Sequence, residues 1–198
     1  MTAQEQSRPD VVVRRAIYQR TIADLDFKRL VFIDEMGSHR GMTRMYGRAR
    51  RGERILGISM RNYGSNWTTL GALSFKKLQA VMTLEGAIDG AGFYTWVAQV
   101  LVPTLEPNQV VVMDNASIHL SKQVRACIEE AGCEMIYQPP YSPEVNAIEP
   151  AWNHFKREIR KANPQTDEAL LEVISRVSLG FSLQYVTGCF AYVGLPSG

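Results

Sequence analysis

Cysteine and surplus charge are both scarce in this sequence. Its 198 residues include only three cysteines, Cys127, Cys133 and Cys189, and no two of them form a C-x-x-C pair. An odd number of widely spaced thiols gives little support to a disulfide framework or a zinc site, and it predicts a cytoplasmic protein. The formal net charge is only +2, so the total charge does not indicate a nucleic-acid partner.

Membrane-spanning and export signals are also lacking. Residues 177–198 carry no charge and are long enough to cross a bilayer, but serine, glycine, glutamine and threonine interrupt them throughout. This polarity predicts a packed terminal helix and tail, with no membrane partner. The first residues contain Arg14, Arg15 and Arg20 without an adjoining apolar core, so we expect no signal peptide.

Positive charge is concentrated in one stretch, between Arg40 and Arg61. Seven arginines lie there against a single acid, Glu53. Such a local excess is typical of a surface that faces phosphates, although a solvated basic loop would have the same composition.

The hydrophobic pattern predicts an α/β domain at residues 29–198, preceded by a linker or lead-in helix at residues 1–28. Apolar runs predict strands near residues 29–34, 68–75, 78–84, 109–114 and 133–137. Apolar periodicity predicts helices near 90–101, after Ser121, at 148–161 and from Thr166. The first three strands suit an antiparallel meander and the later ones parallel pairing, so we expect a mixed sheet.

Three acids stand where such a sheet places its ligand sites. Asp34 and Asp114 each end an apolar strand, and Glu149 begins a helix after the proline-rich segment 138–146. Because ligands gather at the carboxyl ends of strands in α/β sheets, we expect the three carboxylates to converge. Two Mg²⁺ ions would relieve their repulsion and would suit phosphodiester chemistry. Glu144 is a rival to Glu149, whereas Glu35 should face the opposite side of its strand.

Three blocks of the sequence resemble one family. The blocks are Val31-Phe-Ile-Asp-Glu35, Val111-Val-Met-Asp-Asn-Ala-Ser-Ile-His119 and Pro139-Pro-Tyr-Ser-Pro-Glu-Val-Asn-Ala-Ile-Glu149. Over residues 29–180 the chain is similar to the mariner-type DDE transposases, in particular their bacterial insertion-sequence branch, which is marked by 34 residues between the second aspartate and the glutamate. The resemblance implies a ribonuclease-H-like fold with helices on both faces of the sheet. It also implies Mg²⁺ or Mn²⁺, two ions per site, for cleavage of transposon ends and strand transfer into target DNA.

The resemblance implies roles for individual residues as well. Asp34, Asp114 and Glu149 would be the catalytic metal ligands. Asn115, His119 and Asn146 would orient a metal-bound water or phosphate, unless they only hydrogen-bond within their own loops. DNA contacts are expected from the loop arginines and from a stripe on the last motif helix: Arg44, Arg48, Arg50, Arg51, Arg54, Asn153, Lys156 and Arg160.

The sequence differs from the family pattern at two places. Ala147 stands where relatives usually have proline, and the tail after Gly180 is less charged than expected. The residues before position 29 are too few for the helix-turn-helix that reads transposon ends in relatives. We therefore expect DNA, a second copy or more of this chain, and possibly a separate DNA-reading region or protein as partners.

Three other functions fit parts of this pattern. A structure-specific nuclease or ribonuclease H on the same fold would hydrolyse without joining, and a decayed element would leave a non-catalytic DNA-binding module. A phosphatase of the haloacid type also places aspartates at strand ends, but it has no use for the basic stretch. For the transposase, replacing any of the three acids by its amide should abolish cleavage and slightly raise the metal-free melting temperature.

Overall fold

Residues 7–44, 46–54 and 63–196 are described by the computed structural model, and within them the chain forms five strands and six α-helices. The strands are β1 (Leu30–Ser38), β2 (Trp67–Ser74), β3 (Leu78–Glu85), β4 (Val110–Met113) and β5 (Glu134–Tyr137). The helices are α1 (Pro9–Ala23), α2 (Gly90–Trp96), α3 (Lys122–Glu130), α4 (Glu149–Ala162), α5 (Asp167–Leu179) and α6 (Leu183–Tyr192).

The strands form one mixed sheet in the order β3-β2-β1-β4-β5. Strands β1, β2 and β3 pair antiparallel, while β1 with β4 and β4 with β5 pair parallel. The predicted meander and the predicted parallel part are both confirmed. The strands that deliver Asp34 and Asp114 are direct neighbours in the centre of the sheet.

Helices cover both faces of the sheet, as predicted. Alternate residues of β1 face opposite sides, so Leu30 and Phe32 pack in one core and Val31 and Ile33 in the other. Helices α4, α5 and α6 bury their apolar stripes in the first core. Helices α2 and α3 pack against the second.

The first strand is longer than the sequence predicts. Its apolar run ends at Asp34, but β1 continues to Ser38 because β2 pairs with it along that whole length. Parallel pairing with β4 stops at Phe32 and Val112. Asp34 therefore lies where the β1–β4 pairing ends and not where the strand itself ends.

The helix predicted at 90–101 changes form along its length. The regular part ends at Trp96, a wider turn continues through Val97–Leu101, and a tight turn, Val102–Thr104, follows around Pro103. Proline lacks an amide hydrogen and clashes with the preceding turn, which explains why regular helix does not continue there.

Helix α1 is packed on the domain and is not a detached linker. Tyr18 and Ile22 are buried in the same core as Phe32. On another side of the helix, Arg15 donates to Oγ of Ser142 over 3.2 Å and forms an ion pair with Glu144 at 3.0 Å. The helix therefore holds the proline-rich turn that precedes α4.

The uncharged C-terminal stretch forms a packed helix, as predicted. In α6, Val186 and Phe190 are buried, and the Phe190 ring meets Phe32 edge-on at 5.7 Å. Across the described ranges, no helix combines the length and the apolarity needed to cross a membrane.

Helix α4 packs closely on the sheet at Gly71. Gly71 lies opposite Asp34 in the β1–β2 register, and the Trp152 ring of α4 occupies the space where a side chain would be. A Cβ at Gly71 would lie 2.8 Å from Cη2 of Trp152. The missing side chain lets Trp152, three residues after Glu149, seat the start of α4 beside Asp34.

We predict that Gly71→Ala lowers the free energy of unfolding by about 1–3 kcal/mol, because Trp152 must leave its site or strain the sheet. Urea denaturation measures this change. Gly37→Ala is the matched control, since a Cβ at Gly37 of β1 meets nothing within 4 Å. Equal unfolding midpoints for the two variants would show that Trp152 adapts without cost.

Candidate active site

The three predicted acids line one cavity at the edge of the sheet. The cavity has a volume of about 410 Å³, and Asp34, Asp114 and Glu149 all contribute to its wall. The rest of the wall comes mainly from the proline-rich segment 138–143, together with Asn115 and Asn146. The structure thus brings acids from three separate elements to one place, as the sequence predicts.

Local structure positions each acid. Asp34 lies in β1, two residues beyond the last pair with β4. Asp114 directly follows β4, and Glu149 is the first residue of α4. The turn before α4 is closed by Asn146, whose Oδ1 accepts the Ile148 amide at 3.3 Å. Ala147, in place of the family's usual proline, is fully buried in this turn.

The electrostatic environments of Asp34 and Glu149 are unfavourable to charge. Burial, followed by the charge of Glu149, raises the pKa of Asp34 from its ordinary 3.8 to about 7. Burial also raises the pKa of Glu149, and nearby Lys156 opposes that shift. A cation close to these carboxylates would favour their charged forms and so offset the effect of burial.

Asp114 has the opposite electrostatic environment. A hydrogen bond with His119 is the main cause that lowers the pKa of Asp114, and the Ala116 amide adds to it. Nδ1 of His119 lies 2.5 Å from Oδ1 of Asp114. Asp114 therefore stays ionised under conditions in which Asp34 begins to bind a proton.

His119 also reaches Glu35, a contact that sequence reasoning missed. Nε2 of His119 lies 3.3 Å from Oε2 of Glu35, off the line of a good hydrogen bond. Burial would lower the pKa of His119, but the contacts with Asp114 and Glu35 outweigh it and raise that pKa to about 9. Glu35 does face away from the cavity, as predicted, and it approaches the site from the other side of the sheet.

The remaining residues expected around the acids have local partners. Asn115 lines the cavity and donates from Nδ2 to the Gln138 carbonyl at 2.6 Å. Glu144, the rival of Glu149, is paired with Arg15 and does not line the cavity. His154 of α4 is half-buried, with its ring centroid 4.4 Å from that of Tyr185.

The predicted DNA-contacting residues are largely exposed. Asn153 and Arg160 of α4 are exposed and Lys156 is half-buried, while Trp152 and Phe155 form the buried stripe of the same helix. The loop arginines at positions 44, 48, 50, 51 and 54 are exposed, and Arg61 lies outside the described residues.

Arg40 is packed against other residues, unlike the exposed arginines at positions 44, 48, 50, 51 and 54. It is half-buried, lies 3.8 Å from Asp167 and donates to the Gln165 carbonyl at 3.4 Å. A Cβ at Gly64 would overlap the Arg40 side chain. The Arg40 side chain therefore lies against Gly64, three residues before β2, and links the first residue of the basic stretch to the segment that leads into β2.

The acids share the cavity without forming a tight ligand cluster. Within residues 7–44, 46–54 and 63–196, no three His, Cys, Asp or Glu side chains are grouped closely enough to hold one metal ion. Hard divalent cations such as Mg²⁺ commonly use only one or two carboxylates and take their other ligands from water and phosphate. Carboxylate oxygens facing an open cavity suit such ions.

The chain belongs to the DDE superfamily endonuclease family, whose model matches residues 29–171. The catalytic domain of Mos1 mariner transposase has a similar structure, with a TM-score of 0.69, 11% identity, and coverage of 98% of this chain and 90% of that one. The mariner Mos1 paired-end complex with Mg gives 0.76 at 14% identity over 98% of this chain and 62% of that chain. The Mos1 strand transfer complex gives 0.76 at 14% identity, over 94% and 59%.

These similarities show that the fold is ribonuclease-H-like, with the mixed five-stranded sheet described above. The chain spans less than two thirds of the length of the transposase chains in the two complexes. No curated protein sequence matches it.

The unequal environments of the acids change one expectation about stability. In EDTA at pH 8, Asp34→Asn should raise the free energy of unfolding by about 1–3 kcal/mol, because it removes a carboxylate whose pKa is raised by folding. The gain should shrink as the pH falls through about 7 and vanish below 3.8, where Asp34 is protonated in both states. Urea titrations at several pH values measure it.

Asp114→Asn should lower stability in the same experiment, by about 1 kcal/mol, because it removes a charged hydrogen-bond acceptor of His119. The sequence alone predicts that amide variants of all three acids are more stable without metal. Asp114→Asn is therefore the variant that distinguishes the two expectations. A rise for Asp114→Asn would show that repulsion among the acids outweighs the His119 contact.

Proposed function

We propose that this chain is the catalytic domain of a DNA transposase, which cleaves the ends of a mobile element and joins them to target DNA. The observation that carries the proposal is the single cavity lined by Asp34, Asp114 and Glu149. Membership of an endonuclease family supports phosphodiester chemistry at this cavity.

Asp34, Asp114 and Glu149 are the residues that would hold divalent cations, Mg²⁺ or Mn²⁺, and we propose two ions per site. The raised pKa of Asp34 supports this assignment, because it reflects an uncompensated negative charge at a buried carboxylate. The Mos1 structures include complexes with Mn and with Mg. Bound ions of this type activate an attacking oxygen and stabilise the leaving oxygen of an in-line displacement.

The protein's own contribution is positioning. The sheet and α4 fix the three acids from separate elements, so that their relative placement is decided by backbone packing and not by loop motion. Asn115 and Asn146 lie on the same cavity wall, where their amides can orient a phosphate or a water molecule.

DNA would be held by the exposed cations beside the cavity. Lys156 lies close enough to Glu149 to affect its pKa, and Asn153 and Arg160 extend the same side of α4. The exposed loop arginines add a second basic surface, formed by positions 44, 48, 50, 51 and 54. Contacts of this kind bind phosphates and carry little sequence information.

We further propose that the chain belongs to the bacterial insertion-sequence branch and acts as a dimer or larger assembly on DNA. The interval of 34 residues between Asp114 and Glu149 supports the branch. Mos1 transposase has a similar structure in a paired-end complex with left transposon end. We propose a helix-turn-helix region or protein as a further partner that recognises the transposon ends.

Asp34→Asn, Asp114→Asn and Glu149→Gln should each abolish Mn²⁺-dependent nicking and joining of a transposon-end duplex, since each removes a metal-binding charge. Glu129→Gln is the matched control and should retain activity, because Glu129 is exposed on α3, pairs with Arg125 at 3.3 Å and does not line the cavity. Gel assays with pre-cut ends and a target plasmid separate the two steps. Nicking without joining would favour a structure-specific nuclease, and binding without nicking would favour a non-catalytic module.

Replacing Arg50 and Arg51 together by alanine should weaken DNA binding and flatten its salt dependence. The slope of log K against log salt should fall by about 1 for each phosphate that the variant no longer neutralises. Arg29→Ala is the control, because Arg29 pairs with Glu134 at the opposite edge of the sheet. Fluorescence anisotropy at several salt concentrations measures the slopes, and unchanged slopes would remove this loop from the DNA interface.

A further inference from the structure

Backbone hydrogen bonds and ring packing hold His119 in place. Its amide donates to the Ala116 carbonyl at 2.9 Å, and its own carbonyl accepts from the Tyr137 hydroxyl at 2.9 Å. The Phe93 ring of α2 packs on the imidazole with a centroid separation of 4.4 Å. The side chain is only 1% exposed, so the ring has little freedom to turn.

The two ring nitrogens of His119 face two different carboxylates. Nδ1 meets Oδ1 of Asp114, and Nε2 meets Oε2 of Glu35 at 3.3 Å. Asp114 is on the cavity, whereas Glu35 is on the face of β1 that packs toward α2. His119 therefore connects the cavity to the other side of the sheet.

Oδ1 of Asp114 is fully engaged by protein donors. It accepts the Ala116 amide at 2.9 Å as well as the His119 contact at 2.5 Å. Two donors on one oxygen set the rotation of the carboxylate, and they leave the second oxygen, Oδ2, for a ligand in the cavity.

Glu35 is an unusual residue for its place. Its side chain is 30% exposed and lies on a face of β1 whose neighbours, Ile33 and Val31, belong to an apolar core. A carboxylate on this face is partly removed from water, which costs free energy unless the carboxylate contacts a polar partner. The polar atom it meets is Nε2 of His119, at 3.3 Å.

We propose that Glu35 is a positioning residue, which holds the His119 ring so that His119 fixes the Asp114 carboxylate with one oxygen directed to a divalent cation. The inference rests on the proposed metal role of Asp114. Residues that orient a metal ligand typically contribute about 10- to 100-fold to metal affinity, and a residue one contact further from the ion should contribute less. Glu35 would act from the far side of the sheet, through its close polar contact of 3.3 Å with Nε2 of His119.

The expected effect of Glu35→Gln is a loss of Mn²⁺ affinity of about 3- to 10-fold, measured by calorimetry on the full chain without DNA. Glu134→Gln is the matched control, since Glu134 pairs with Arg29 at the other end of the sheet. Urea denaturation in EDTA is run alongside. A Glu35→Gln variant with a lower unfolding midpoint but wild-type Mn²⁺ affinity would overturn the inference.

A double-mutant cycle tests whether Glu35 acts through His119. His119→Asn keeps an amide near the position of Nδ1 and removes Nε2, so it cuts the connection to Glu35 while retaining a donor for Asp114. In that background, Glu35→Gln should change the Kd for Mn²⁺ by less than about twofold. Additive effects of the two substitutions would contradict the proposed connection.

The same measurements separate this inference from the proposed function. The transposase proposal alone would be overturned if the wild-type chain binds Mn²⁺, Glu35→Gln weakens that binding only when His119 is present, and the chain never cuts DNA. Wild-type chain that cuts DNA while Glu35→Gln leaves Mn²⁺ affinity unchanged would overturn the positioning role alone. Wild-type chain that binds no Mn²⁺ would overturn both.

Discussion

Negative charge held in a partly desolvated cavity is the constraint on which the rest of this structure depends. Asp34, Asp114 and Glu149 would separate if they were carried on mobile segments, because like charges repel more strongly where water is excluded. The protein instead attaches them to two neighbouring central strands and to the first turn of a helix. Gly71 and Trp152 draw that helix close to β1, so packing energy opposes the repulsion.

The constraint is met differently at each acid. At Asp34 burial raises the pKa and penalises the charged form, whereas at Asp114 the hydrogen bond with buried His119 lowers the pKa. This asymmetry suits a site that binds hard cations, because one carboxylate is held ionised and oriented while another gains most when a cation arrives. A symmetrical set of solvated acids would bind cations with less discrimination and would place them less firmly.

The mixed sheet and the shared cavity could be predicted from the sequence, because they depend on local apolar pattern and on general rules of sheet topology, whereas the two helical layers were implied by the family resemblance. Sequence reasoning placed Asp34 at a strand end, since the apolar run stops there, and missed that pairing with β2 carries β1 on to Ser38. It also left Glu35 out of the site. Alternation within a strand predicts which face a side chain takes, but it cannot reveal that a histidine 84 positions later returns to meet it.

Helix α1 lies outside the domain boundary predicted from the sequence, yet it packs into the core of that domain. The residues before position 29 lack a strong apolar pattern, yet Tyr18 is buried in the core that α4 fills. Arg15 holds both Ser142 and Glu144, and the turn they form leads directly to Asn146 and Glu149. Because the acid at the start of α4 depends on the geometry of that turn, the lead-in helix belongs physically to the unit that forms the cavity. Whatever precedes this helix in a longer protein would be joined to an element that already contacts the wall of the site.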